Sequence, residues 1–325
     1  MRIEKLNQTT KKNLLEDLLK RSPNSYEMYE EQVKAILDNV KKRGDEALFE
    51  YTEKFDGFCL DQQSVLVKEE EIEEAYTQVD RGLIEIIRKA LKNIETYHEK
   101  QRQYSWFDSK PDGTILGQKV TALDRVGVYV PGGKAAYPSS VLMNIVPAKT
   151  AGVREIIMVT PPGKDGKVTP TTLVAAKEAG ADKIYKVGGA QAIAALAYGT
   201  ESISKVDKIV GPGNIYVALA KKAVYGHVSI DSIAGPSEIL VLADETANPR
   251  YVAADLLSQA EHDEMASAIL VTVSMELAEK VSEQTELFIS QLSRGEIIRK
   301  SLDNYGHILV ADTMDEAIDA ANEIA

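Results

Sequence analysis

The sequence predicts an α/β fold made of two Rossmann-like, incomplete parallel-sheet domains, with helices on both faces of each sheet and further helices at the N-terminus. Two observations lead to this prediction. From about residue 125 onward, short apolar runs of strand length alternate with segments of helical periodicity, a pattern typical of parallel sheets covered by helices. The runs are also short and mainly apolar, as expected of strands buried on both faces.

The first hundred residues are predicted to be helical. They are rich in Glu and Lys and show mixed apolar and charged periodicity, which indicates helices with one solvated face. Asp45 and Asp80 are predicted N-caps. We find no catalytic constellation here and interpret this part as structural or as an oligomer interface. The predicted helices span residues 26–41, 45–55, 68–79 and 80–103.

Strand-like residues 114–123 follow a turn at 111–113, and two series of alternating strands and helices come next. The first series has strands at 125–130, 155–160, 183–187 and 208–210, and helices at 139–151, 170–179, 190–198 and 214–225. The second has strands at 238–243, 268–273 and 307–310, and helices that begin at 249, span 276–292 and span 314–324. The boundary between the series is predicted near residues 234–235.

Composition excludes several classes of function. The chain has 325 residues, enough for about two domains, and 50 acidic against 38 basic side chains give a net charge of -12. This balance argues against nucleic acid or an anionic membrane as the main partner. No segment has the length of a membrane span, and the N-terminus has no apolar signal region. The lone cysteine, Cys59, is predicted to be a semi-buried packing residue and fits a reducing, cytoplasmic location.

Glycine-containing turns at 131–133, 188–189 and 211–213 follow predicted strands, at the end of the sheet where ligands bind in open α/β folds. No G-x-G-x-x-G fingerprint is present, so phosphate or nucleotide binding and simple tight turns are both open interpretations. Asn214, at a predicted helix start, is most simply an N-cap.

A helix opening at Asn248-Pro249 is predicted to carry Gln259 and His262 near its C-terminal end. Three residues apart on a helix is one face, so both side chains could approach one metal ion. Spacing alone favours a His that interacts with the terminal carbonyls and the helix dipole. Ser237, after Gly235-Pro236, is by itself a turn serine.

Five segments together resemble the histidinol dehydrogenase family, in the family's order and spacing. They cover the chain from about Arg125 onward, and five long segments in register are far more specific than any one. The segments are Gly-Val-Tyr-Val-Pro-Gly-Gly at 127–133, Gly-Gly-Ala-Gln-Ala-Ile-Ala-Ala-Leu at 188–196, Gly-Pro-Gly-Asn at 211–214, Ala-Gly-Pro-Ser-Glu at 234–238 and Leu-Leu-Ser-Gln-Ala-Glu-His at 256–262.

The resemblance implies a homodimeric enzyme that oxidises L-histidinol to L-histidine through L-histidinal, with NAD as oxidant and zinc as a positioning metal. The matching positions for NAD are Tyr129, Gln191 and Asn214. Those for the substrate are Ser237, Gln259 and His262, and the last two also match zinc ligands. The small-molecule substrate would be L-histidinol.

The resemblance also implies a domain division, because the 80–103 helix would join the second strand series. The predicted domains are an N-terminal helical arm (1–25), a discontinuous α/β domain (26–125 and 236–325) and an inserted Rossmann-like domain (126–235). The family's catalytic Glu-His pair is expected just beyond Ala325, with further zinc ligands, so these 325 residues are predicted to be inactive or nearly so. Alternatives are a non-catalytic nucleotide-binding α/β protein and, more remotely, an unrelated zinc-free dehydrogenase.

Overall fold

The computed structural model describes residues 1–19, 27–132, 138–233 and 238–324, and the chain forms two compact units. The terminal unit comprises Met1–Tyr26 with Gly235–Ala325, and the central unit comprises Glu27–Ala234. The terminal unit contains β1 (Arg2–Lys5), α1 (Gln8–Leu19), β9 (Glu238–Ala243), α10 (Pro249–Ala260), β10 (Ser267–Thr272), α11 (Met275–Ile289), α12 (Gly295–Tyr305), β11 (Gly306–Val310) and α13 (Met314–Ile324).

The elements of the central unit are numbered in the same chain order. They are α2 (Glu27–Arg43), α3 (Asp45–Asp56), α4 (Glu69–Gln78), α5 (Arg81–Glu99), β2 (Trp106–Ser109), β3 (Ile115–Gln118), β4 (Arg125–Tyr129), α6 (Pro138–Thr150), β5 (Glu155–Val159), α7 (Pro170–Ala179), β6 (Lys183–Tyr185), α8 (Gly189–Tyr198), β7 (Lys208–Val210), α9 (Ile215–Val224) and β8 (Ser229–Ile230).

A five-stranded parallel sheet, in the order β6-β5-β4-β7-β8, forms the core of the central unit. Successive side chains of a strand point to opposite faces. Val126 and Val128 of β4 therefore share one apolar core with α4 to α7. Gly127 lies on the other face, where α8 packs so closely that an added Cβ would be 2.8 Å from Leu196 Cδ1. Helices α2 and α9 pack against α8 and complete that layer.

The terminal unit has a four-stranded parallel sheet in the order β1-β11-β10-β9. On one face, Leu270 and Ile308 pack with α10, α11 and α12. On the other face, Val271 and Leu309 pack with α1 and α13. Both sheets thus carry helices on both faces, and the predicted fold class is confirmed.

An antiparallel hairpin of β2 and β3 belongs to the central unit but to neither parallel sheet. All eight of its strand residues are exposed. Its turn contains the predicted Pro-Asp-Gly sequence, and Gly113 has a φ of 87°. Within the described ranges, no helix combines the length and apolar character needed to cross a membrane.

Several predictions for individual elements and residues are wrong. The arm at 1–25 begins with a strand: β1 pairs with β11, and its charged residues suit the edge of a sheet. Helix α12, with Gly295 in its first turn, was not predicted. Gly44 rather than Asp45 is the N-cap of α3, and Asp45 instead accepts a 2.6 Å hydrogen bond from Ser202 Oγ. Cys59 is exposed rather than semi-buried.

The contacts also group the chain differently from the predicted domains. Helix α5 packs on α6 and α7 through Ile84 and Ile87, so it belongs to the central unit rather than to the second strand series. Residues 27–125 consequently lie with 126–234, while the predicted boundary near 234–235 coincides with the division between the units. The Asp80 cap of α5 is confirmed, because its carboxylate accepts from Leu83 N at 3.1 Å.

Candidate functional site

The strand order of the central unit reverses between β4 and β7. Chain connections run from β4 outward through β5 to β6, and then from β7 outward to β8. In open parallel sheets, ligands bind at such a switch point, beyond the carboxyl ends of the strands. A cavity of about 780 Å³ lies here, bordered by Tyr129, Pro131, Gly189, Gln191 and Asn214. It lies entirely within the central unit.

Tyr129, the last residue of β4, is buried. Its hydroxyl oxygen accepts a hydrogen bond from the Gly189 backbone N–H at 3.2 Å. Burial, the largest effect, raises the pKa of Tyr129 to about 12. The hydroxyl therefore stays protonated at neutral pH, and its own proton is available for a hydrogen bond to a ligand.

Gln191 lies in the first turn of α8, and its side chain is 1% exposed. Neither the Oε1 nor the Nε2 atom has a hydrogen-bond partner among the residues that the structure describes. The amide is crowded against Gly189, whose φ is 64° and whose added Cβ would lie 2.5 Å from Gln191 Oε1. A buried amide without partners costs about 1–3 kcal/mol. A polar ligand that meets this amide would remove that cost.

Asn214 has the capping role that its position predicts. Its Oδ1 atom accepts from the backbone N–H groups of Tyr216 and Val217, at 3.1 and 3.2 Å. It also borders the cavity, so capping and ligand contact are compatible.

Two charged side chains hold the glycine turn after β7. Lys221 is buried, donates from Nζ to the Gly211 carbonyl at 2.9 Å and pairs with the Asp231 carboxylate. Asp231 in turn accepts from the Gly211 N–H at 2.8 Å. Gly211 has a φ of 112°, and an added Cβ would overlap the Tyr129 carbonyl oxygen. This turn thus requires glycine, and it fixes the backbone beside Tyr129.

Helix α3 supplies cavity residues that the sequence did not predict. Tyr51, Lys54, Phe55 and Asp56 all border the cavity from its C-terminal half. Burial raises the pKa of Asp56 to about 6, and the Oδ2 atom has no hydrogen-bond partner within the described ranges. The i, i+4 spacing of Tyr51 and Phe55 marked an aromatic face, but nothing local indicated that it meets a sheet some 70 residues later.

The residues predicted for substrate and metal lie in the terminal unit. Ser237 falls outside the described residues. Helix α10 ends at Ala260, so the prediction that His262 lies on this helix is wrong. His262 is exposed on the turn that follows, where its N–H donates to the Gln259 carbonyl at 3.1 Å. Glu261, the C-cap, still has helical backbone angles. Its N–H group is shared between the Leu257 and Gln259 carbonyls, and the regular helix ends there.

The described residues do not complete a zinc site. No group of three or more His, Cys, Asp or Glu side chains within them could hold a metal. Gln259 and His262 supply two neutral donors, whereas a catalytic zinc takes three protein ligands. We therefore derive no chemical step through zinc.

The sheet order and the cavity define a class of protein: a doubly wound α/β protein with a ligand crevice at its topological switch point. Comparison with known proteins then gives the family. The histidinol dehydrogenase family model matches residues 19–325. The chain belongs to this family, which places it among the oxidoreductases and in histidine biosynthesis, and the resemblance predicted from the five segments is confirmed.

Individual relatives agree with this assignment. Histidinol dehydrogenase from Geobacillus kaustophilus is 61% identical over 299 residues, covering 91% of this chain and 70% of the relative. The Bacillus subtilis protein is 61% identical over 293 residues, covering 90% and 68%. The crystal structure of the Elizabethkingia anophelis histidinol dehydrogenase superposes with a TM-score of 0.91 at 38% identity, covering 100% of this chain and 74% of that one.

Proposed function

We propose that the central unit binds NAD in the switch-point cavity, and that the chain is part of an enzyme that oxidises L-histidinol to L-histidine through L-histidinal. The observation that supports this most directly is the buried Gln191 amide, which has no partner among the described residues and borders the cavity. NAD, when bound, accepts the hydride in each oxidation.

The residues around the cavity suit a dinucleotide. The Tyr129 hydroxyl can donate to a ligand oxygen while it accepts from Gly189. Gln191 offers both a donor and an acceptor. The N-cap of α8 is Gly188, which has no side chain to cap the helix, so N–H groups of its first turn can bind a phosphate. Asn214 would contact the ligand while it caps α9.

Calorimetric titration with NAD tests this proposal. We expect wild-type protein to bind NAD and Gln191→Ala to bind it about 10- to 100-fold more weakly, since two hydrogen bonds are lost. Gln63→Ala is the matched control, because it truncates an exposed glutamine in the loop after α3. Equal affinity of Gln191→Ala and wild type would contradict the proposed role of the amide.

The second candidate is a nucleotide-binding protein without catalysis, and one observation favours it: the cavity lies wholly within residues 27–234. In this candidate the chain binds NAD but turns over L-histidinol very slowly or not at all. Turnover of L-histidinol is to be compared with that of the Bacillus subtilis relative. Comparable rates would contradict the inactivity and exclude the non-catalytic candidate.

The residues proposed to bind substrate and zinc are taken from the resemblance to the family. Ser237, Gln259 and His262 would contact L-histidinol, and Gln259 and His262 would supply two of the zinc ligands. Zinc titration of the wild type, Gln259→Ala and His262→Ala tests the metal assignment directly. We expect weaker zinc binding in both variants, and unchanged binding in both would remove these residues from the ligand set.

We also propose a cytoplasmic homodimer, and the β2–β3 hairpin supports the dimer. A two-stranded hairpin is marginally stable alone, yet this one exposes Trp106, Phe107, Ile115 and Leu116, each more than half accessible. Packing on a second copy would cover them. Sedimentation should show a dimer for wild type and for Lys110→Ser, and a monomer for Phe107→Ser combined with Leu116→Ser. A dimer in the double variant would exclude the hairpin as the interface.

A further inference from the structure

The C-terminal end of α3 presents an aromatic platform to the cavity. The rings of Tyr51 and Phe55 are stacked, with centroids 5.7 Å apart and an interplanar angle of 9°. Both rings border the cavity, and Phe55 is 52% exposed. A flat, accessible aromatic surface beside a polar cavity suits the stacking of a planar base.

Asp56 follows this platform and is placed where a carboxylate is unfavourable. It is the last residue of α3, at the negative end of the helix dipole, where cationic side chains are preferred. Its Oδ2 atom is buried without a hydrogen-bond partner in the described part of the chain. The carboxylate therefore does not stabilise the helix, and a group that opposes stability inside a cavity is a candidate for ligand binding.

The surroundings of Asp56 indicate which kind of ligand group its carboxylate can bind. Asp56 and Tyr129 both border the cavity, and the Asp56 carboxylate adds a little to the rise in the pKa of the Tyr129 hydroxyl. An ionised carboxylate accepts hydrogen bonds through two oxygens and donates none. Two adjacent hydroxyl groups match this pattern, whereas a phosphate would be repelled. Next to a base platform, such a pair of hydroxyls belongs to a ribose.

We propose that the Asp56 carboxylate binds the ribose hydroxyls of the base-bearing nucleoside of the dinucleotide, and that its charge excludes a 2′-phosphorylated dinucleotide. The inference rests on the proposed NAD site and adds to it the residue that selects NAD over NADP. In doubly wound folds an acidic side chain performs this task at a strand end. Here the carboxylate comes from α3, outside the strand-helix alternation.

Calorimetric titration of the 325-residue chain with NAD, NADP and 2′-deoxy-NAD tests the proposal. We expect wild-type protein to bind NADP and 2′-deoxy-NAD about 10- to 100-fold more weakly than NAD, the effect of hydrogen bonds to a charged acceptor. Asp56→Asn should weaken NAD binding by a similar factor and bind the three ligands within about fivefold of one another. Asp38→Asn, the same change on the exposed face of α2, should behave as wild type.

Thermal unfolding gives an independent readout. Asp56→Asn and Asp56→Ser should keep or raise the melting temperature, because both remove a charge whose buried Oδ2 atom has no partner among the described residues. Weaker NAD binding together with an unchanged or higher melting temperature supports the proposal. A lower melting temperature in both variants would overturn it, since the carboxylate would then stabilise the fold.

The outcomes separate this inference from the proposed function. If NAD binding falls in Gln191→Ala but not in Asp56→Asn, or if Asp56→Asn still excludes NADP, the Asp56 proposal is wrong and the NAD site stands. If wild-type protein binds none of the three dinucleotides, both proposals are wrong.

Discussion

The two units contain sheets of the same type that differ in strand order. In the terminal unit, β9, β10 and β11 follow one another in a single direction, and β1 extends the same edge. In the central unit the order reverses between β4 and β7. Reversal separates the connections at the carboxyl ends and leaves a crevice, and the 780 Å³ cavity lies there. Strand order, more than strand composition, thus decides where a ligand can enter.

The start of α8 also differs from the starts of α10 and α11. In the terminal unit, Asn248 accepts from Arg250 N at 2.9 Å and Ser274 accepts from Leu277 N at 3.1 Å, so α10 and α11 cap themselves. In the central unit, the N-cap of α8 is Gly188, which offers no side-chain cap. Self-capped helices have fewer N–H groups to offer, whereas α8 leaves some of its own for a ligand.

The largest expected effect comes from the turn that makes the crevice. Gly211→Ala combines a φ of 112° with overlap on the Tyr129 carbonyl oxygen, and we expect a loss of about 3–5 kcal/mol in the free energy of unfolding. Gly226→Ala is the matched control, with a φ of 94° but open space around the added Cβ, and should lose about 1–2 kcal/mol.

Urea denaturation measures both changes, and hydrogen exchange shows where they act. Peptides from β4 and β7 should lose protection before those from β9 to β11. If both sheets of the Gly211→Ala variant lost protection equally, the two units would unfold as one cooperative body. That result would contradict the difference proposed between them.

The next effect concerns the buried cation that holds the same turn. Lys221→Met leaves Asp231 without its partner and the Gly211 carbonyl without a donor, and we expect a loss of about 3 kcal/mol. In the terminal unit, Lys280→Met removes an exposed pair with Glu276 and should leave the urea midpoint unchanged. Equal midpoint shifts in the two variants would show that the turn does not depend on the buried pair.

The smallest effect is a difference in pH dependence between the units. Burial lowers the pKa of His307 in β11, although Glu4 at 3.6 Å opposes the shift. The unfolded state binds the proton more readily than the folded state. The contribution of neutral His307 to stability is therefore complete above the ordinary histidine pKa near 6.5 and is lost as pH falls. His307→Gln should flatten the slope of the terminal unit.

In the central unit, the contribution of Asp56 to stability changes with pH in the opposite direction. Its pKa is raised from 3.8 to about 6, so its contribution is complete below pH 3.8 and is lost as pH rises through 6, by about 1 kcal/mol after allowance for partial exposure. Hydrogen exchange between pH 4 and 7, on peptides of each sheet, measures both slopes. An equal slope in the Asp56→Asn and wild-type central units would contradict this assignment.

Much of the fold could be predicted because its signals are local. The strands 208–210 and 238–243 and the helices 170–179 and 314–324 have the predicted bounds, since each lies between glycine turns, caps or breaks in periodicity. Strand β1 escaped prediction because four residues with charges at both ends carry almost no pattern. The partners of α5 escaped it because an amphipathic helix reveals its apolar face but not the surface that covers it.

The candidate site divides in the same way. Tyr129, Gln191 and Asn214 stand beside glycine turns, and the structure brings these three side chains to one cavity, although their contact with NAD stays a prediction. Asp56 could not be found from the sequence. It is a candidate because its Oδ2 atom is buried and has no hydrogen-bond partner among the described residues, and both properties depend on contacts between distant segments.

The pairing of β1 with β11 has a consequence for biosynthesis. Arg2 leaves the ribosome some 300 residues before His307, its neighbour in the sheet. The central unit, continuous from Glu27 to Ala234, can collapse during translation. Strand β1 can dock in its sheet only after β11 has emerged, so this pairing forms after the central unit can have collapsed.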